Sequence, residues 1–253
     1  MQHPPATVAE AAQKIAELTG VQRKPTQVRQ FLKHLGMKPR RMAALPAKAN
    51  VQVQQEFQQQ KLEPRLDEAK AGQRAVFFVD AAHFVLAPFL GVVWCFARLF
   101  IKAPSGRQRF NVLGALNAIT KELVTVTNDT YITALEVCQL LQQLAALNLD
   151  VPVTVVLDNA RYQHCALVEE QARQLHIELL FLPSYSPNLN LIERFWKFVK
   201  KKCLYCHYYP AFAEFKQAIS TCIQQAPLQH RDALHSLLTL RFQTFEQDAG
   251  IAA

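Results

Sequence analysis

AVFFVDAAHFVL, residues 75–86, is a run of aliphatic and aromatic residues interrupted at its centre by one carboxylate, Asp80. The β-branched and aromatic content predicts a strand. An acid inside such a strand is costly unless it is hydrogen-bonded, paired or bound to a cation. Asp80 is therefore either a buried structural acid or a group held for chemistry, and the rest of the chain has to decide between them.

Downstream, the same texture continues. GVVWCFARLFI (91–101), RFNVLGALNAI (109–119) and ELVTVTN (122–128) read as further strands. A helix is expected over about 131–147, then strand VPVTVVLD (151–158), a helix near 163–175, strand IELLFL (177–182) and helices to the end. Strands in series followed by βαβ alternation predict an α/β fold: a mixed sheet in which an antiparallel meander joins parallel strands, with helices on both faces.

Two more acids occupy telling positions. Asp158 ends VTVVLD, and the C-terminal edge of parallel strands is where open α/β sheets gather ligands. Asp158-Asn159 is also an ordinary turn pair. Glu193 lies in LPSYSPNLNLIERFWKFVKKK (182–202), at the start of a helix. Taken alone it fits a capping box with Asn190 as N-cap, and an ion pair with Lys197 one turn on. Together, two strand acids and one helix acid can converge on a single sheet edge. Three oxygen donors without a His/Cys set favour Mg²⁺, or Mn²⁺, over zinc. Two such ions, roughly 3.5–4 Å apart, suit attack on a phosphodiester.

Upstream, residues 7–36 predict two helices around a turn. Val8, Ala11, Ala12, Ile15 and Leu18 share one face of the first, which Gly20 ends. Val28, Phe31, Leu32 and Leu35 line the second, whose other face carries Lys24, Gln27, Arg29, Gln30, Lys33 and His34 before Arg40 and Arg41. This is the layout of a helix-turn-helix, and Lys24, Arg29, Lys33, Arg40 and Arg41 are its candidate DNA contacts. Residues 42–74 read as a linker with a polar helix, giving boundaries of 1–41, 42–74 and 75–253.

Charge agrees with that division. Residues 1–74 hold 13 Lys/Arg against 6 Asp/Glu, whereas residues 75–253 hold 15 against 14. A basic N-terminal third suits a polyanion such as DNA. No apolar run approaches the roughly 18–20 residues of a membrane span, and MQHPPATVAEAAQ lacks a signal-peptide layout. A cytoplasmic protein, nucleoid-associated when bound to DNA, is expected, with its six scattered cysteines reduced. Cys203-Leu-Tyr-Cys206-His207 formally matches a haem attachment run but lacks the export that normally precedes attachment. The Phe195, Trp196, Phe198, Val199 cluster reads as core. No Gly-rich phosphate loop suggests a nucleotide cofactor.

FFVDAAHF, VVLDNARYQHC and LPSYSPNLNLIERFWKFVKK together resemble the three catalytic blocks of DDE transposases of the insertion sequence 630 branch of the mariner superfamily. The 34 residues between Asp158 and Glu193 match that branch. The resemblance is strong over about 75–205 and looser over 7–70. It implies an RNase H-like core, two divalent ions, cleavage at terminal inverted repeats and strand transfer into TA-containing target DNA. Carried over by motif, Asp80, Asp158 and Glu193 correspond to the metal ligands. Asn159 and His164 match supporting positions, Asn190 is expected to cap the catalytic helix, and Arg194, Lys197, Lys200, Lys201 and Lys202 are expected to face phosphates. A homodimer on DNA is expected. The family's usual layout has two helix-turn-helix units, and this chain has room for one, so an N-terminally short member is expected. Two other readings stay open: a catalytically inactive or truncated DNA-binding remnant or regulator, and a structure-selective RNase H-like nuclease.

Overall fold

A computed structural model describes residues 4–39, 50–87, 95–97, 100 and 108–243. These residues form two compact units, one holding the described residues up to 39 and the other those from 50 onward. The strand expected over 91–101 lies outside the described residues apart from 95–97 and 100, and Arg40 and Arg41 lie outside them altogether.

The first unit contains α1 (Val8–Thr19) and α2 (Pro25–His34). Thr7 caps α1 by accepting from the Glu10 N–H at 3.1 Å, and Gly20 closes it at φ 71°, a left-handed angle that glycine adopts without Cβ strain. Pro25 opens α2, where the missing N–H is harmless. Ala11 and Val28 are buried, while Leu18, Phe31 and Leu35 from the expected apolar stripes are exposed.

The second unit is built on a five-stranded sheet. β1 (Ala75–Val85), β2 (Arg109–Asn117) and β3 (Leu123–Asn128) form the antiparallel meander. β4 (Val153–Leu157) joins β1 in parallel, and β5 (Ile177–Phe181) joins β4 in parallel, giving the order β3-β2-β1-β4-β5. Alternation along the strands sorts side chains to two faces. Phe77, Val79, Val155 and Leu157 pack under α5 (Ala134–Ala145) and α6 (Ala166–Gln174). Val76, Phe78, Phe84 and Val156 pack under α7 (Ile192–Cys203) and α8 (Phe212–Gln229). α9 (Arg231–Leu237) buries Leu234 in the same cluster. Among the described residues, no helix is long and apolar enough to cross a membrane.

The polar helix expected in the linker is present as α3 (Val51–Phe57), a π-turn (Gln58–Leu62) and α4 (Glu63–Lys70). The π-turn accommodates Pro64, which would otherwise clash with the preceding turn and leave its carbonyl unpaired. This helix is not a free linker. Phe57, Leu62, Leu66 and Ala69 are buried in the core beside α7 and α8, so the second unit begins well before residue 75. Its composition looks polar because only this narrow stripe is apolar.

Charges pin the helix in place. Glu178 on β5 receives the Arg65 guanidinium at 2.7 Å, Arg74 at 2.9 Å and the Thr154 hydroxyl at 2.6 Å. Burial pushes the Glu178 carboxyl up, but these hydrogen bonds and the two guanidinium charges hold it below its ordinary value. A depressed carboxyl stabilises the fold above its unfolded value of 4.5, and that stability is lost as pH falls through the folded value. Because a third of the side chain is exposed, Glu178→Ala is expected to cost only about 1 kcal/mol, less in high salt. Urea denaturation at pH 7 in low and high salt checks this; a salt-independent loss would point to packing instead.

Candidate active site

Register brings the two strand acids together. Phe77 and Phe78 of β1 lie beside Val155 and Val156 of β4. Two residues further along these parallel strands, Asp80 is level with Asp158. Both share the parity of Phe78 and Val156, so both project from the face covered by α7. At this point β4 has ended while β1 continues with β2 alone. The step leaves a notch in the sheet, and α7 brings Glu193, in its first turn, to that notch.

Asn190 fills the gap. Its side chain is buried, and its NH₂ donates to the Val79 carbonyl at 3.1 Å and toward Asp158 Oδ1 at 3.4 Å. Both partners are acceptors, which fixes the orientation of the amide. Asn190 does not cap α7: the N-cap position is Leu191 and no side chain caps it. The expected capping box is thus absent. A β1 carbonyl left without a β4 partner claims the amide, and the Glu193 carboxylate is not engaged by a cap.

The acids act on one another. Burial pushes the Asp80 carboxyl up to about 7, with the charges of Glu193 and Asp158 adding to the rise; the Ala81 N–H opposes it. The buried Trp196 indole N–H lends slight stabilisation to Asp80 without closing a hydrogen bond. Asp158 is also raised, by burial first and then by Glu193, against the Asn190 hydrogen bond. Tyr162, on the loop after β4, is pushed up to about 12 by burial and by the charges of Asp80 and Asp158. Three mutually repelling carboxylates in a part-buried notch form a hard-oxygen donor set that a divalent cation would relieve. Among the described residues, no three acidic, His or Cys side chains already close around a single point. The fit to a cation therefore rests on donor chemistry and repulsion.

Asn159 and His164 come together, with Asn159 Oδ1 2.6 Å from His164 Nδ1. The imidazole stacks on Phe181 at 4.2 Å and reaches Glu169 at 3.3 Å. Lys197 and Lys201 are exposed on α7, Lys200 is half-buried with its ammonium 5.9 Å from the Phe84 ring centre, and Lys202 lies similarly over Phe198. Arg194 departs from expectation: its guanidinium donates to the Thr239 and Arg241 carbonyls at 2.8 and 2.7 Å and lies over Phe242. These contacts tie down the chain after α9 and occupy the group expected to face phosphate. In the first unit, Lys24, Arg29 and Lys33 are exposed. The C-x-x-C-H run forms no pair, because Cys203 is buried with its thiol against Cys222 of α8 while Cys206 is exposed.

Gly114 is a site residue that local pattern does not reveal. It pairs with Asp80 across β1 and β2, and a Cβ there would meet two Trp196 ring carbons at 2.8 Å and Ile192 Cδ1 at 3.0 Å. The bare glycine lets α7 lie close on the sheet beneath Asp80. The indole is buried and cannot retreat, so Gly114→Ala is expected to cost about 1–3 kcal/mol and to displace α7. Equilibrium denaturation and Trp fluorescence measure this; wild-type values in both would mean the indole is not wedged.

The profile of the family described as DDE superfamily endonuclease matches residues 75–216. The insertion element IS630 uncharacterized 39 kDa protein of Shigella sonnei is 25% identical over 190 residues, covering 73% of this chain and 54% of that protein. The chain thus spans about half the length of this curated relative. Among solved structures, the Mos1 transposase paired-end complex with left transposon end matches with a TM-score of 0.56 at 11% identity, over 96% of this chain and 82% of that one. The mariner Mos1 paired end complex with Mg matches with a TM-score of 0.53 at 16% identity, over 97% and 82%. At these identities the likeness is one of fold, the RNase H-like mixed sheet with a helical region before it.

Proposed function

Because the chain belongs to the DDE superfamily endonuclease family, we propose that it is the transposase of an insertion sequence, cutting DNA at terminal inverted repeats and joining the ends to TA-containing target DNA. The observation that carries this reading is the convergence of Asp80 and Asp158, level on neighbouring strands, with Glu193 on the helix over the same notch. In this proposal the three acids hold two Mg²⁺ or Mn²⁺ ions. Such ions would polarise the scissile phosphate and neutralise the charge that develops on it.

The remaining groups bind and orient. Asn190 fixes the Asp158 carboxylate against the end of β1. His164, held by Asn159 at one ring nitrogen and beside Glu169 at the other, and stacked on Phe181, braces the segment that follows Asp158. Lys197, Lys200 and Lys201 supply positive charge along α7 for the DNA backbone. Lys24, Arg29 and Lys33, with Arg40 and Arg41, act in a DNA-binding region over 1–41, and two copies of the chain act on paired ends.

The test incubates the full chain with duplex DNA carrying the element's ends, with Mg²⁺, Mn²⁺ or chelator. Metal-dependent nicking at the repeat termini, followed by joining at TA, is the expected result. Salt-sensitive DNA binding without any metal-dependent cut would overturn the reading.

A further inference from the structure

The loop between β5 and α7 is held by a residue from far outside the catalytic blocks. Tyr185 has φ 60°, a left-handed conformation that costs a non-glycine residue of order 1 kcal/mol and persists only where its surroundings impose it. Its carbonyl accepts the Gln54 NH₂ at 3.2 Å. The other end of the same carboxamide, Gln54 Oε1, accepts from Asn188 Nδ2 at 3.1 Å, and Asn188 also donates to the Gln243 carbonyl at 2.9 Å. The backbone carbonyls of Tyr185 and Gln243 can only accept, so both amides have a single orientation that satisfies the set.

Among the described residues, Gln54 is one of few buried polar side chains, at 4% exposure. It sits on α3, whose Phe57 is buried in the core and which runs through the π-turn into α4, where Arg65 pairs with Glu178. Its two bonds straddle the turn Tyr185–Asn188. Two residues later comes Asn190, which touches Asp158, and three after that comes Glu193. A groove of about 320 Å³, walled by Val53, Glu56 and Lys61 on one side and by Asn159, Phe181 and Pro183 on the other, runs alongside. The helix read from sequence as a linker thus forms one wall of a groove that reaches Asn159, next to Asp158.

We propose that Gln54 is a positioning residue for catalysis, clamping the Tyr185–Asn188 turn so that Asn190 and Glu193 meet Asp80 and Asp158 at a fixed height. The inference rests on the reading of these acids as a metal-dependent DNA-cleaving centre. Releasing the clamp leaves the core intact but lets the loop relax out of its strained conformation, and displacements of about 1 Å at a reacting centre cost on the order of 100-fold in rate.

The test uses the full chain and Gln54→Met, which keeps the volume and removes both hydrogen bonds, with Asn188→Ala as a second variant. Three readouts are taken: amide exchange at residues 184–190, affinity for Mn²⁺ alone by electron paramagnetic resonance, and cleavage of end-bearing DNA at saturating Mg²⁺. In Gln54→Met, exchange in the loop is expected to accelerate while α8 amides stay protected. Mn²⁺ affinity should fall, and kcat should drop about 10- to 100-fold with KM for DNA within about twofold. The double variant should lose less than the sum of the two single losses, since both changes break the Gln54–Asn188 bond while Asn188→Ala also frees the Gln243 carbonyl. Unchanged loop exchange and Mn²⁺ affinity, or a rate loss equal to the unfolded fraction, would overturn the proposal. If the wild-type chain does not cut DNA, the cleavage reading fails, while exchange and Mn²⁺ binding still decide the role of Gln54.

Discussion

Replacing Asp158 or Glu193 with alanine is expected to lower metal-dependent cleavage by roughly 10³-fold or more, with DNA binding unchanged. The magnitude follows from what each acid contributes. Both lie at the notch where β4 ends, both are part-buried, and among the described residues no His or Cys cluster could substitute for them. In the proposed centre, removing one oxygen donor from a set of three would leave a cation held by two, so occupancy and alignment would fail together. Asn190→Ala provides the graded comparison. That side chain touches Asp158 without belonging to the donor set, and loss of such a partner costs about 10- to 100-fold. Circular dichroism and filter binding confirm that each variant is folded and binds DNA, and single-turnover cleavage then ranks them. An alanine variant at Asp158 or Glu193 that cuts within tenfold of wild type would remove that acid from the centre.

Asp80→Asn is expected to make the metal-free protein more stable at pH 8, by on the order of 4 kcal/mol. That figure is the free energy of moving a carboxyl from 3.8 to about 7. The sign follows from which state holds the proton. Below 3.8 the group is neutral in folded and unfolded chains and costs nothing. Between about 4 and 7 the unfolded chain ionises first, so folding loses stability progressively, and above 7 the full cost is present. The advantage of Asp80→Asn in chelator should therefore vanish near pH 4 and grow to a plateau above pH 7. Mg²⁺ should narrow the gap, raising the melting temperature of wild type more than that of the variant, because in the proposed centre the cation would bind the folded carboxylates. Thermal melts across pH, with chelator and with Mg²⁺, decide it. A variant no more stable than wild type in chelator at pH 8 would show that Asp80 is not burdened by burial and repulsion.

The legibility of this site in the sequence varies residue by residue. Asp80 and Asp158 stand out because a charged residue in or at the end of an apolar strand interrupts a continuous apolar run. Glu193 is ambiguous in isolation, since the Asn190-to-Glu193 spacing also spells a helix cap. The structure separates the two, because an unpaired Val79 carbonyl takes the Asn190 amide. Arg194 reads as one cation in a basic helix, yet its guanidinium reaches carbonyls 45 and 47 residues away. Gly114 looks like a weak point in β2, and its purpose is visible only when Trp196 lies across it.

By itself the sequence determined the five strands of the described sheet, most of the helices and the joining of an antiparallel meander to parallel strands, and it singled out the three acids, while the strand expected over 91–101 lies largely outside the described residues. These are written in local periodicity and in residue types that are costly where they stand. The tertiary structure decided which groups surround those acids. Gln54 lies in a polar helix with no local mark of function, and its partners are 131 and 134 residues away. Such pairings depend on how α3 packs against the loop before α7, a three-dimensional outcome that no spacing along the chain encodes.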